Sequence, residues 1–271
     1  MTRNLSRRRP ALIAATALAL AAAGMSAARA EDYDPWPGIA KDLYAGRTVT
    51  DSADAVQLEA PIRAEDAGLV PITMRIPAAL APQAKSLTLV VDKNPAPVVA
   101  TFSFGPAAGT GERVISTRIR IDMYSNVRAI LETEDGKLQM AVKFVKAAGG
   151  CSAPALKDAD EAVAAIGKMQ VRTFESSGTA PSEAQVMIRH PNYSGMQMNQ
   201  LTGLYIPAKF VREMEVRRGG DLVFKMEGGI SLSEDPNIRF SYQPAGDQSL
   251  EVVAKDTAGS VFTGRSAQKG S

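Results

Sequence analysis

The stretch Val114-Ile115-Ser116-Thr117-Arg118-Ile119-Arg120-Ile121 closes on strict alternation of apolar and charged residues. A period of two suits a strand with one buried face. Comparable short runs fill most of the first half, at 56–62, 70–76, 86–91, 99–104, 113–121, 127–134 and 137–145. Turn signals separate them, among them Asp92-Lys93-Asn94-Pro95 and Glu134-Asp135-Gly136-Lys137, whose Asp-Gly supplies the positive φ of a hairpin. Many short strands spaced by turns predict an all-β sandwich.

The pattern breaks at Gly149. Residues 158–169 read as a short helix, with acids in the first turn and Lys168 near the end, as a helix dipole favours. A second strand series follows at 170–174, 184–189, 210–217, 222–226, 238–242, 250–255 and 260–263. A long loop with a Met/Gln/Asn-rich tip spans 190–207, and Arg218-Gly219-Gly220-Asp221 reads as a hairpin turn. The expected plan is a sandwich over 31–148, an arm and linker helix over 149–169, and a second sandwich over 170–271. No short-period repeat relates the halves.

Residues 1–30 read as an export signal. Arg3, Arg7, Arg8 and Arg9 form the positive region, residues 11–23 the apolar region, and Ala28-Arg29-Ala30 the cleavage site, so the mature chain starts at Glu31. Sec and twin-arginine export both fit. The expected compartment is the periplasm. The apolar region is too short for a membrane span, and no later run supplies one. The whole chain has 31 Lys+Arg and 29 Asp+Glu; without the five signal arginines, 26 basic residues face 29 acidic ones, a net of −3. That balance and the lack of a basic patch argue against a nucleic-acid partner.

Cys151 is the only cysteine in the 271 residues, so no internal disulfide is available in an oxidising compartment. It follows Gly149 and Gly150, in a run (Ala-Ala-Gly-Gly-Cys-Ser-Ala-Pro) that lacks apolar periodicity and reads as an exposed, flexible loop. Six residues separate it from Val145, a reach of roughly 20 Å when extended. Lys143 and Lys146 lie upstream, where they could raise the thiolate fraction. His190 is the only histidine, and a strand-end position before Pro191 suits a structural role. No metal site of familiar spacing and no cofactor motif is present. Met187, Met196 and Met198 fit packing or partner contact better than copper. Trp36 is expected to anchor the start of the mature chain.

Two sets of residues resemble a known family. In the first half these are Trp36-Pro37, Ala60-Pro61, Ala64-Glu65-Asp66-Ala67-Gly68, Val70-Pro71, Val91-Asp92-Lys93-Asn94-Pro95, Ser116-Thr117-Arg118-Ile119, Ser125-Asn126-Val127-Arg128-Ala129 and Gly149-Gly150-Cys151. They resemble SoxY, the sulfur-compound carrier subunit of bacterial thiosulfate oxidation. In the second half, Arg189-His190-Pro191, Gly195, Ile206-Pro207-Ala208, Phe210-Val211, Gly229-Ile230-Ser231, Asn237 and Phe240 resemble its partner SoxZ. The chain looks like a SoxY–SoxZ fusion, similar to SoxYZ-like carriers associated with quinoprotein alcohol dehydrogenases.

The resemblance implies two immunoglobulin-like sandwiches joined by a loop and short helix. It makes Cys151 the point of covalent substrate attachment and Gly149 and Gly150 its flexible arm. It also implies a non-catalytic carrier whose partners are periplasmic redox enzymes, among them c-type cytochromes or a quinoprotein dehydrogenase. An adaptor for that dehydrogenase and its cytochrome, working through the 190–207 loop, is the alternative. The family's arm ends freely as Gly-Gly-Cys-Gly-Gly; here Ser152-Ala153-Pro154 follows the cysteine and the chain continues.

Overall fold

The computed structural model describes residues 33–154, 164–174, 181–244 and 248–267. Residues Pro35–Ser271 form one unit of fifteen strands and one longer helix among the described residues. Helix α1 (Trp36–Tyr44) is followed by β1 (Val49–Asp51), β2 (Gln57–Glu59), β3 (Val70–Ile76), β4 (Ala84–Val91), β5 (Val98–Phe104), β6 (Arg113–Ile119), β7 (Ser125–Thr133) and β8 (Leu138–Val145). The second half supplies β9 (Met169–Phe174), β10 (Ser182–Ile188), β11 (Val211–Arg218), β12 (Asp221–Gly228), β13 (Asn237–Tyr242), β14 (Leu250–Asp256) and β15 (Val261–Arg265). The expected all-β class is what forms. The expected export signal lies outside the described residues, as does the first half (158–163) of the expected 158–169 helix; of the second half only 164 and 165 are helical, a turn follows at Gly167, and Met169 already opens β9. No helix among the described residues is long and apolar enough to cross a membrane.

Two sheets face each other. One runs β1-β8-β7-β4-β5-β12-β11-β14-β15, the other β2-β3-β6-β13-β10-β9. Alternation sets their faces: β3 alternates buried Val70, Ile72, Met74 and Ile76 with more exposed partners, and β14 does the same with Leu250, Val252 and Ala254. The Asp135-Gly136 and Gly219-Gly220 hairpins form as expected, with Gly136 at φ 81°, Gly219 at 56° and Gly220 at 89°.

The halves pair edge to edge in both layers. Strand β5 pairs antiparallel with β12 from Ala100↔Gly228 to Phe104↔Phe224, and β6 pairs with β13 through Ser116↔Arg239 and Ile115↔Phe240. Behind this seam Phe224 stacks edge-on against Phe102 at 5.8 Å and against Phe240 at 5.0 Å, all three fully buried. Phe224→Ala will therefore destabilise the chain by about 3–5 kcal/mol, as large-to-small core changes do. Because both sheets cross the seam, thermal unfolding of the variant will remain one cooperative transition. Calorimetry resolving two transitions, with only one moved, would contradict the continuous architecture.

Helix α1 covers the outer face of the larger sheet. Tyr44 joins Val90, Ile130, Leu138 and Met140, with Trp36 and Ile39 packed against them. The Trp36 ring lies 4.3 Å from the Arg128 guanidinium, which also grips Asp92 with contacts of 2.8 and 3.0 Å. Trp36 anchors this segment as expected, but from a helix. The prolines that suggested an irregular lead sit at the N-cap (Pro35) and in the first turn (Pro37), where a missing N–H costs nothing.

Candidate functional site: the docked Cys151 segment

Strand β8 delivers the chain to the site. Lys146 N–H donates to Ile62 O (2.9 Å), and Ala64 N–H donates to Lys146 O (3.1 Å). Gly150 then makes a contact that no other residue could, and Gly149 a turn that other residues adopt only at a cost. Gly149 adopts φ +79° and donates its N–H to Asp122 O (2.8 Å). Gly150 donates to Ile121 O (3.0 Å); a Cβ there would sit 2.0 Å from Ala67 O and 2.7 Å from Ile121 O. Ile121 N–H in turn donates to Ala67 O (2.9 Å), so Gly150 lies against two backbone segments that already hold each other.

The 190–207 loop closes the other side. Ser194 Oγ donates to the Cys151 carbonyl, and Gln197 Nε2 donates to the Ala153 carbonyl (3.2 Å). Gln197 Oε1 accepts from Ser194 N–H (3.0 Å), which braces the two side chains together. Ser152 Oγ donates back to Gly149 O (3.3 Å). Ser194 and Gln197 are 4% and 1% exposed, and Cys151 is 0% exposed.

This corrects the expectation of an exposed loop at Gly150 and Cys151, which are buried, while Gly149 and Ser152 are exposed as expected. The segment is docked, and the thiol is buried. Local sequence gave no apolar pattern because the burial comes from distant backbone and two polar side chains. The charges acting on the thiol also differ from those expected: they come from Asp122 and Arg120 rather than Lys143 and Lys146. Burial pushes the Cys151 pKa up to about 12; the Asp122 carboxylate adds to the rise and the Arg120 guanidinium opposes it. Arg120 is itself 3% exposed and donates to the carbonyls of Leu232 and Pro191. Its own pKa is lowered by burial, against the pull of Cys151, Glu234 and Asp66.

The docked thiol is thus held protonated and out of contact with reagents. Asp122, Arg120, Ser194 and Gln197 were not identifiable as site residues from sequence. The one available signal was the length of the 190–207 loop, which contributes the last two.

His190 stands at the base of that loop, as a strand-end residue, and is 1% exposed. Its Nδ1 accepts from Asn192 N–H (3.0 Å), and its Nε2 faces Asp256 Oδ2 at 3.5 Å; Lys209 Nζ lies 3.5 Å from the same oxygen. Burial lowers the His190 pKa although Asp256 draws the other way. Met187 lies on β10, and Met196 and Met198 on the loop. Among the described residues no group of three or more His, Cys, Asp or Glu could hold a metal ion. A surface cleft of about 320 Å³ on the larger sheet, lined by Val98, Thr101, Arg212, Glu213, Glu227, Gly228 and Gly229, shares no residue with the Cys151 site.

Beyond the hairpin tip the loop exposes apolar surface: Met198 is 44% exposed, Leu201 96%, Leu204 69% and Tyr205 66%. A bridge between Met198 and Tyr205 closes this tip.

Fold and site together define a two-layered β protein with one cysteine on a Gly-Gly segment where its halves meet. Comparison with known families gives this class a name. The model of the sulfur oxidation protein SoxY matches residues 40–151, ending on Cys151, and that of the sulphur oxidation protein SoxZ matches residues 171–267. With both regions in tandem, the chain belongs to the SoxY and SoxZ families of sulfur-oxidation proteins as a SoxY–SoxZ fusion. Among solved structures, the sulfur carrier protein SoxY from Chlorobium limicola f thiosulfatophilum is 26% identical, covering 42% of this chain and 91% of that chain with a TM-score of 0.35. A β-glycosidase from Bacteroides vulgatus is 6% identical, covering 78% of this chain and 24% of that chain with a TM-score of 0.23. No curated protein matches the chain.

Proposed function

We propose that this protein is a periplasmic covalent carrier that holds a thiosulfate-like intermediate on Cys151 while partner redox enzymes act on it. The observation that carries this reading is the end of the SoxY match on Cys151, the sole cysteine of the chain. Gly149 and Gly150 serve as the joint from which the thiol leaves its docked position. Loading joins the Cys151 sulfur to the terminal sulfur of thiosulfate as Cys–S–S–SO3⁻. The thiol proton and two electrons leave, and the electrons pass to a partner of the c-type cytochrome class. The protein supplies the attachment point and the partners supply the chemistry.

The test is complementation in the native host. Cys151→Ser will abolish sulfur-compound oxidation that depends on this protein while leaving its folded level unchanged. Full retention of that oxidation by the serine variant would sink the reading.

The exposed Met198, Leu201, Leu204 and Tyr205 favour a second reading, an adaptor for a periplasmic quinoprotein dehydrogenase and its cytochrome. Under it, partner capture survives Cys151→Ser and is lost when Leu201 and Leu204 become Ser. Capture that follows Cys151 instead would remove the adaptor reading.

A further inference from the structure

We propose that the 190–207 loop is a latch which admits only the unloaded thiol, so that an adduct on Cys151 expels the segment from its dock. The inference deepens the carrier reading and rests on it for the identity of the load. Its geometry stands on four contacts. Ser194 and Gln197 hold the carbonyls of Cys151 and Ala153, and the Gly149 and Gly150 N–H groups bond Asp122 and Ile121 from the other side.

All four contacts are made to or from backbone atoms. The latch therefore recognises the path of the chain and leaves the sulfur to fit the space that remains. That space is small: Cys151 is fully buried, and Gly150 already lies against Ala67 and Ile121 with no room for a Cβ. Protein interiors pack at crystal density, so several added heavy atoms on Sγ must displace something. The pieces most easily displaced are the hydrogen bonds of Ser194 and Gln197, because strand β6, which leads to Ile121, is tied to β3 in a sheet.

The dock thus distinguishes empty carrier from loaded carrier. An empty arm is withdrawn, and a loaded one is presented.

The experiment uses the full chain and tetrathionate, which is both the load and its own oxidant. Tetrathionate transfers a thiosulfate unit to the Cys151 thiolate, giving Cys–S–S–SO3⁻ and releasing thiosulfate. Hydrogen exchange is then followed at the amides of Gly149 and Gly150. The free-thiol protein will protect both, and loading will increase their exchange at least about tenfold; reduction with dithiothreitol will restore protection. Unchanged protection after complete loading overturns the latch while leaving the carrier reading standing. Conversely, loss of the carrier reading through a functional Cys151→Ser variant leaves this result intact.

A second arm tests the latch residues. Ser194→Ala and Gln197→Ala will each raise the alkylation rate of Cys151 about three- to tenfold, the effect of losing one modest hydrogen bond to the segment. Ser194→Thr, which keeps the hydroxyl, will stay near the native rate. Equal rates in all variants would overturn the role of the loop.

Discussion

Iodoacetamide will alkylate Cys151 in the native chain up to about a thousandfold more slowly than in the urea-unfolded chain near neutral pH. The factor follows from the pKa. Docking moves it from an ordinary 9.0 to about 12, and the thiolate is the reacting species. Three units remove about three powers of ten of thiolate at fixed pH. Any opening of the segment speeds the reaction, so the factor set by ionisation is the upper limit. The sign of the pH effect is fixed by the same shift. A raised pKa means that the docked state holds its proton more tightly, so the stability of docking is fully present below pH 9. It is lost as pH rises from about 9 through 12, by up to tenfold per unit in the open-to-docked ratio. Alkylation of the native chain must therefore keep rising about tenfold per pH unit past pH 9, where the rate of a free thiol levels off. Native and unfolded rates that agree at neutral pH would show that Cys151 is not docked in solution.

Gly150→Ala will produce the opposite state. Its Cβ would meet Ala67 O at 2.0 Å and Ile121 O at 2.7 Å, carbonyl oxygens of two backbone segments held together by the hydrogen bond from Ile121 N–H to Ala67 O. Neither can yield as a side chain would, so the segment itself must leave. Alkylation of Cys151 will rise by about a hundredfold or more toward the unfolded rate. The cores of both halves will persist, because the displaced segment contributes no strand. Gly149→Ala provides a graded comparison: its φ of +79° costs an alanine about 1 kcal/mol, or about a fivefold opening, with nothing within 4 Å to clash. Equal effects of the two substitutions would mean that backbone conformation, rather than close approach, holds the arm.

These contrasts also show where sequence reasoning reached and where it stopped. The strand series was legible because one buried face imposes a period of two, as in Val70–Ile76, where the expected and observed limits coincide. Helix α1 was not, because Pro35 and Pro37 signal a break unless they fall at a helix start. Strand β1 was missed because three residues carry no periodicity, and its parallel pairing with β8 joins segments almost ninety residues apart. Cys151 was legible as the singular residue of the chain, but its burial was not. Its neighbours in sequence are small and polar, and the residues that enclose it come from 67, 121–122 and 194–197. Arg120 illustrates the same limit: it follows an alternating strand on which arginines read as solvent-facing, yet two distant carbonyls draw it inside.

Intact mass spectrometry of the protein taken from its native compartment tests most directly whether Cys151 is the loading point. Without reductant, a fraction of the chain will carry added mass on the peptide containing Cys151, with increments matching sulfur or thiosulfate-derived groups. Dithiothreitol will return it to the free thiol. A chain that shows only unmodified Cys151, isolated during active sulfur oxidation and with thiols trapped at once, would contradict the account.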